Sequence, residues 1–193
     1  MAERLVNGDV FLHVPKAGGT WVRQVLEAAG LVARSYEEHL PLARLPAADQ
    51  RAFRFAFVRH PLDWYESWWR YQTDTGWSSR FETPVLPDCA YRRSDFVPFV
   101  RTCLEKAPGM VSVLYELFVG TPEAPIEFIG HLETLRADVD RLRRARGWDV
   151  GAAVLALPPQ LVSHPHRLTW TPELRTAVAS TERRAMARFG YTA

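Results

Sequence analysis

Residues 10–25, VFLHVPKAGGTWVRQV, constrain the fold of this chain more than any other stretch. An apolar run from Val10 to Val14, with His13 inside it, passes into Pro15, Lys16, Ala17, Gly18, Gly19 and Thr20. Beyond Thr20 the period changes. Trp21, Val22, Val25, Leu26 and Ala29 share one face at helical spacing, and Gly30 closes the run. The pattern predicts a buried strand, a tight loop and a helix. Gly18 and Gly19 let the backbone turn sharply and come close to a ligand. The first N–H groups of the helix point into the loop, where the helix dipole favours an anion. Lys16 adds a mobile positive charge. The chain has 22 Arg and only two Lys, Lys16 and Lys106. Against that bias, a loop Lys reads as a need for a compact ammonium rather than a planar guanidinium. The competing reading is an ordinary strand-to-helix turn with a surface lysine.

A second informative stretch is FAFVRHPLDWYESWW, residues 55–69. Aromatic and β-branched residues predict a strand over 53–58, and Pro61 suits the first turn of a helix over about 62–71. Arg59 then stands at the C-terminal end of a strand, where open α/β sheets bind ligands. Ser67 lies eight residues on, in the following helix. The two can converge on one phosphate, Arg59 as a planar fork and Ser67 as a hydroxyl donor. Read alone, the same residues are an ion-paired Arg and a solvent-facing Ser.

Elsewhere the chain reads as short turns or a broken helix over 31–49, a helix over 95–104, a short strand near 126–129 and a helix over 134–146 closed by Gly147. A last helix is opened by Thr171, Pro172 and Glu173 and runs to Phe189. Residues 76–93 and 158–167 read as loops, the first long enough to be functional. Strands alternating with helices predict an α/β domain with a central, largely parallel sheet flanked by helices. The length of 193 residues fits one domain, taken as residues 1–193.

Composition narrows the partners. A net charge of +2 with no long basic run argues against a nucleic-acid binder. The Arg-rich stretch 136–146 is broken by Asp138, Asp140 and Leu142, the pattern of a solvated helix face. Two cysteines, Cys89 and Cys103, form neither a metal pattern nor a disulfide framework. No signal-peptide core opens the chain and no apolar run is long enough to span a bilayer. The expectation is a soluble, cytoplasmic protein without a metal site.

The loop does not follow the Walker A order, in which Lys comes after the glycines. The order Pro-Lys-x-Gly-Gly-Thr after a strand instead resembles the 5′-phosphosulfate loop of sulfotransferases that use 3′-phosphoadenosine 5′-phosphosulfate (PAPS). Arg59, Pro61 and Ser67 resemble the 3′-phosphate element of the same family. More weakly, Gly130, Glu133, Leu135 and Asp138, and the ending Phe189-Gly190-Tyr191, resemble its later blocks. The likeness covers most of the chain and points to a compact member of the bacterial or Golgi-type carbohydrate branch.

The resemblance implies a single P-loop-like domain that binds PAPS without a metal and moves its sulfuryl group to a hydroxyl or amine of a small-molecule or saccharide acceptor. It implies that Lys16, Ala17, Gly18, Gly19, Thr20 and Trp21 hold the 5′-phosphate end, and that Arg59 and Ser67 hold the 3′-phosphate. Lys16 is expected to stabilise the leaving phosphate. His39 is the expected general base, since His is the default near neutral pH and related enzymes carry a catalytic His or Glu in this region. Glu37 and Glu38 are the reserves. His13 reads as packed in its strand and His60 as structural. His164, His166 and Arg167 lie in a loop that resembles a cofactor cover. Trp64 and Trp68 read as core, and Trp77 as the better candidate to meet an acceptor. Two other classes compete: an ATP-dependent small-molecule kinase of P-loop type, and a nucleotide-binding module without chemistry.

Overall fold

The computed structural model describes residues 2–37, 39–75, 95–159 and 168–192. It opens with a β-hairpin. Strand β1 (Ala2–Leu5) and strand β2 (Val10–Leu12) pair antiparallel, with Glu3 opposite Phe11. Between them Asn7-Gly8 makes the turn, Gly8 at φ 91, a conformation glycine adopts without a steric penalty. The Gly8 N–H donates to the Leu5 carbonyl, and the Leu5 N–H donates to that of Asp9.

Helix α1 (Gly19–Ala28) follows β2, then strand β3 (Val32–Ser35), which pairs antiparallel with β1. Strand β4 (Arg54–Val58) runs parallel to β2, and strand β5 (Phe128–His131) parallel to β4. The sheet is therefore an open, mixed one of five strands in the order β3-β1-β2-β4-β5. This corrects the expectation of a largely parallel sheet. Two of its four pairings are antiparallel, because the Asn-Gly turn folds β1 back on β2 and β3 then adds to the outside of β1. The α/β class itself stands.

The remaining described helices are α2 (Pro61–Thr75), α3 (Phe96–Lys106), α4 (Met110–Val119), α5 (Leu135–Arg146), α6 (Ala152–Leu155), α7 (Pro172–Thr181) and α8 (Arg183–Arg188). Short 3₁₀ turns occupy Leu42–Arg44 and Leu132–Thr134. Two compact units emerge, one of Met1–Arg59 with Glu116–Leu161 and one of His60–Tyr115 with Val162–Ala193.

The first unit holds the sheet. Phe11, Phe55 and Phe57 project from β2 and β4 into a core shared with Trp21, Val22, Val25 and Leu26 of α1 and with Leu135, Val139 and Leu142 of α5. The helical spacing that predicted α1 is thus the spacing of its buried face. Each such side chain contributes about 1.5–3 kcal/mol on burial. Asp9, next to the hairpin turn, accepts two hydrogen bonds from Arg146 at 2.7 and 3.0 Å and one from the Trp148 indole at 3.1 Å. Burial alone raises the Asp9 pKa, but these bonds and that of Asn7 outweigh it and hold the carboxyl below its ordinary value.

The second unit is helical. Trp64, Tyr65 and Trp68 of α2 are all but fully buried, and Trp64 and Trp68 stack with ring centroids 5.5 Å apart. One turn of helix separates them, so the i, i+4 spacing became core packing, as the sequence favoured. The last helix departs from its prediction. It is split into α7 and α8 at Glu182, whose side chain is fully buried. Its carboxylate accepts from the N–H groups of Val111 and Ser112 at the start of α4, from the Ser112 hydroxyl and from the Tyr65 hydroxyl, at 2.8–3.1 Å. Thr171 caps α7 as expected, its hydroxyl accepting from the Leu174 N–H at 3.2 Å. No helix among the described residues is long and apolar enough to cross a membrane.

Candidate functional site

β2 stops at Leu12, which releases the carbonyl of His13 from the sheet, and the chain climbs through Val14, Pro15, Lys16 and Ala17 to α1. Lys16 takes φ 61 and Gly18 takes φ 80, so two left-handed residues bracket Ala17 and wind the loop into a tight turn. Gly18 is the N-cap of α1 and offers no side chain to its first turn, and no acidic residue stands in that turn. The Gly18 carbonyl accepts from the N–H groups of Trp21 and Val22 at 3.1 and 3.2 Å. Among the described residues, no acceptor meets the N–H groups of Gly19 and Thr20. These are the orphan donors that every helix start must satisfy by a cap, water or a ligand.

Both glycines are required by space as well as by geometry. A Cβ on Gly19 would lie 1.9 Å from Cδ2 of His13, and one on Gly18 would lie 2.6 Å from a methyl of Leu132. The ring of His13 thus supports the first turn of α1 from below. Leu132 and Leu135, where β5 passes into α5, press on the loop from the side. This buttress joins two segments that the sequence reading had treated separately.

His39 is brought to the same loop. Its Nδ1 lies 3.1 Å from the His13 carbonyl oxygen and the two rings are 4.8 Å apart. A carbonyl only accepts, so Nδ1 carries the proton and Nε2 holds the lone pair. His39 is 8% exposed, and burial, with help from the Lys16 charge, lowers its pKa to about 3. His13 keeps part of its surface exposed, yet the protein packed around it, with His39, Arg23 and Lys16, holds its pKa well below the ordinary value. Both imidazoles are neutral at neutral pH. Lys16 and His39 are also the two non-glycine residues with positive φ among those described, at 61 and 54. Such backbone conformations cost of order 1–3 kcal/mol each and cluster at functional sites.

The other expected residues fall in different places. Trp21 is 4% exposed, donates its indole N–H to the Leu157 carbonyl at 2.9 Å and lies under the Arg136 guanidinium. Its N–H is taken by Gly18, so its side chain serves the core. Ala17 is buried in the loop. Arg59 directly follows β4 and is half-buried, in the first unit with Lys16 and His39. Ser67 is a buried residue of α2 in the second unit. His60 is structural: its Nδ1 accepts from the Leu62 N–H at 3.2 Å and its Nε2 donates to the Thr192 carbonyl at 2.8 Å, capping α2. Glu37 is exposed and paired with Arg44 at 3.0 Å. Glu38, Trp77, His164, His166 and Arg167 lie outside the described residues, as does Cys89. Cys103 is buried, and burial and the nearby Glu182 push its thiol up to about 12, which makes it inert. His13 was read from the sequence as packed in its strand, but β2 ends at Leu12 and His13 stands beyond it. The available signal was its place two residues before Pro15-Lys16, at the mouth of the loop.

No protein-family model and no curated protein matches this chain. Function is therefore argued from the site's own chemistry.

Proposed function

We propose that the chain is a PAPS-dependent sulfotransferase of P-loop-like architecture. The observation that carries the reading is the first turn of α1. The N–H groups of Gly19 and Thr20, in a first turn without a capping side chain or an acidic residue, stand beside Lys16 and follow a strand. That combination suits a dianionic phosphate better than any neutral ligand. The tight approach of His13 to Gly19 explains why the turn tolerates no Cβ, and the absence of Cβ atoms is what lets phosphate oxygens reach the backbone.

In this reading Gly18, Gly19 and Thr20 hold the 5′-phosphate through backbone N–H groups and the Thr20 hydroxyl. Arg59, directly after β4, holds the 3′-phosphate and distinguishes PAPS from ATP. Bound PAPS supplies an activated sulfuryl group for an acceptor hydroxyl or amine, leaving 3′-phosphoadenosine 5′-phosphate (PAP). Lys16 neutralises negative charge gathering on the departing phosphate, a contribution that grows in a site shielded from water. His39 takes the acceptor proton at Nε2. A pKa of about 3 makes it a weak base in the protein alone, and the negative charge of a nucleotide beside Lys16 raises that basicity.

Calorimetric titration with PAP, beside ATP with Mg²⁺, tests the reading. Tight PAP binding without metal and weak ATP binding are expected. A preference for ATP with metal would replace the sulfotransferase by a kinase. Binding of neither would leave a nucleotide-free interaction module.

A further inference from the structure

We infer that His13 is the positioning residue of this site, fixing His39 in the tautomer that leaves Nε2 as proton acceptor. The inference rests on the sulfotransferase reading for its catalytic meaning and on the structure for its geometry. The Nδ1–H tautomer is not the one a free imidazole prefers, so it needs a fixed acceptor. The His13 carbonyl is that acceptor, at 3.1 Å. It is available because β2 ends one residue earlier, at Leu12.

Three further contacts make the acceptor rigid. The ring of His13 stacks on Phe11 with centroids 6.0 Å apart and an interplanar angle of 18°. It meets the His39 ring at a tilt of 59°, centroids 4.8 Å apart. It also underlies Gly19, where a Cβ would lie 1.9 Å from its Cδ2. One residue therefore touches the base through its carbonyl and the first turn of α1 through its ring. Lys16 follows three residues later on the same turn. A base and a leaving-group cation mounted on one element keep their separation, and displacements of about 1 Å in such constellations can cost about 100-fold in rate. The backbone of His39 is itself strained, at φ 54. Fixing the tautomer is the role that second partners of catalytic histidines commonly play.

The decisive experiment is a ¹⁵N spectrum of the imidazole side chains in the unmodified protein at neutral pH. The His39 signals are assigned by their loss in His39→Asn. Protonated Nδ1 and unprotonated Nε2 are expected. A proton on Nε2, or fast exchange between the two tautomers, overturns the inference. His39→Asn supplies the second arm. Asn tolerates positive φ and its side-chain amide reaches the Nδ1 position, so it keeps the bond to His13 without offering a base. The variant is expected to fold and bind PAP as the parent does while losing about 10²–10⁴-fold in turnover. Retained turnover overturns the assignment of Nε2 as acceptor. A protein that shows the expected tautomer but ignores PAP in the titration would remove the catalytic meaning and with it the sulfotransferase reading, leaving the His13–His39 bond as structure alone.

Discussion

At the start of α4 the N–H groups of Val111 and Ser112 donate to the carboxylate of Glu182, from about 70 residues away in sequence. At the start of α1 the N–H groups of Gly19 and Thr20 meet no acceptor among the described residues, and the first turn holds neither a cap side chain nor an acidic residue. Every helix start poses the same problem of orphan donors beside a partial positive charge. α4 solves it internally, with a carboxylate sealed from water and shared with Tyr65 and the Ser112 hydroxyl. α1 leaves the donors of Gly19 and Thr20 without one, and Lys16 stands in the loop just before them. The contrast separates a helix start sealed within the fold from the one that the proposed function assigns to an anion.

The comparison breaks most visibly at Lys16. Lys16→Ala is expected to lower turnover about 10²–10³-fold, the cost of removing one preorganised charge-stabilising group, while changing PAP affinity far less. Single-turnover kinetics beside calorimetry measure both, and unchanged turnover would sink the assignment. At the other helix, Glu182→Ala strands buried donors from Tyr65, Val111 and Ser112. It is expected to cost about 3 kcal/mol or more in a urea melt. Its effect is on folding, so a loss of PAP affinity in the folded fraction would mean the two helix starts are not as separate in role as argued.

Arg59→Ala sharpens the anion side. PAP is expected to weaken about 10- to 100-fold, the cost of losing charge-assisted hydrogen bonds, with little change for 5′-AMP, which lacks the 3′-phosphate. Equal losses for both ligands would remove Arg59 from the 3′-phosphate site.

The smallest effect is on pH dependence. The pKa of His39 is lowered from 6.5 to about 3, and that of His13 is lowered well below 6.5. Between those values the unfolded chain binds protons that the native protein refuses. Stability is therefore full above pH 6.5 and falls as the pH drops toward 3. Asp9 and Glu127, held below their ordinary values of 3.8 and 4.5, shed their contribution only at lower pH. Chemical denaturation at pH 6.5, 5.5 and 4.5 should show the loss, and His39→Asn should flatten it. A pH-independent midpoint in the parent would contradict the buried neutral imidazoles.

How much of this was legible beforehand differs by region. The strand, loop and helix of residues 10–28 were read nearly to their ends, because period, glycines and apolar face all agreed there. The β1–β2 hairpin was missed although Asn7-Gly8 between two apolar stretches carries its signal. β3 gave no comparable signal, since Ala33, Arg34 and Ser35 are exposed and no alternation survives. The final helix was read as continuous because Glu182 has helical propensity, and only its recruitment to α4 breaks it.

Local sequence determined the loop between β2 and α1, because turn geometry and helix start both act within a few residues. It also determined the α/β class, through the alternation of strand and helix periods. Tertiary structure alone decided that the sheet is mixed, that Glu182 closes α4, that Leu132 and Leu135 brace Gly18, and that His39 meets the His13 carbonyl. Those contacts join residues distant in the chain. Their energy depends on burial and direction in space, and neither is written in the spacing of residue types.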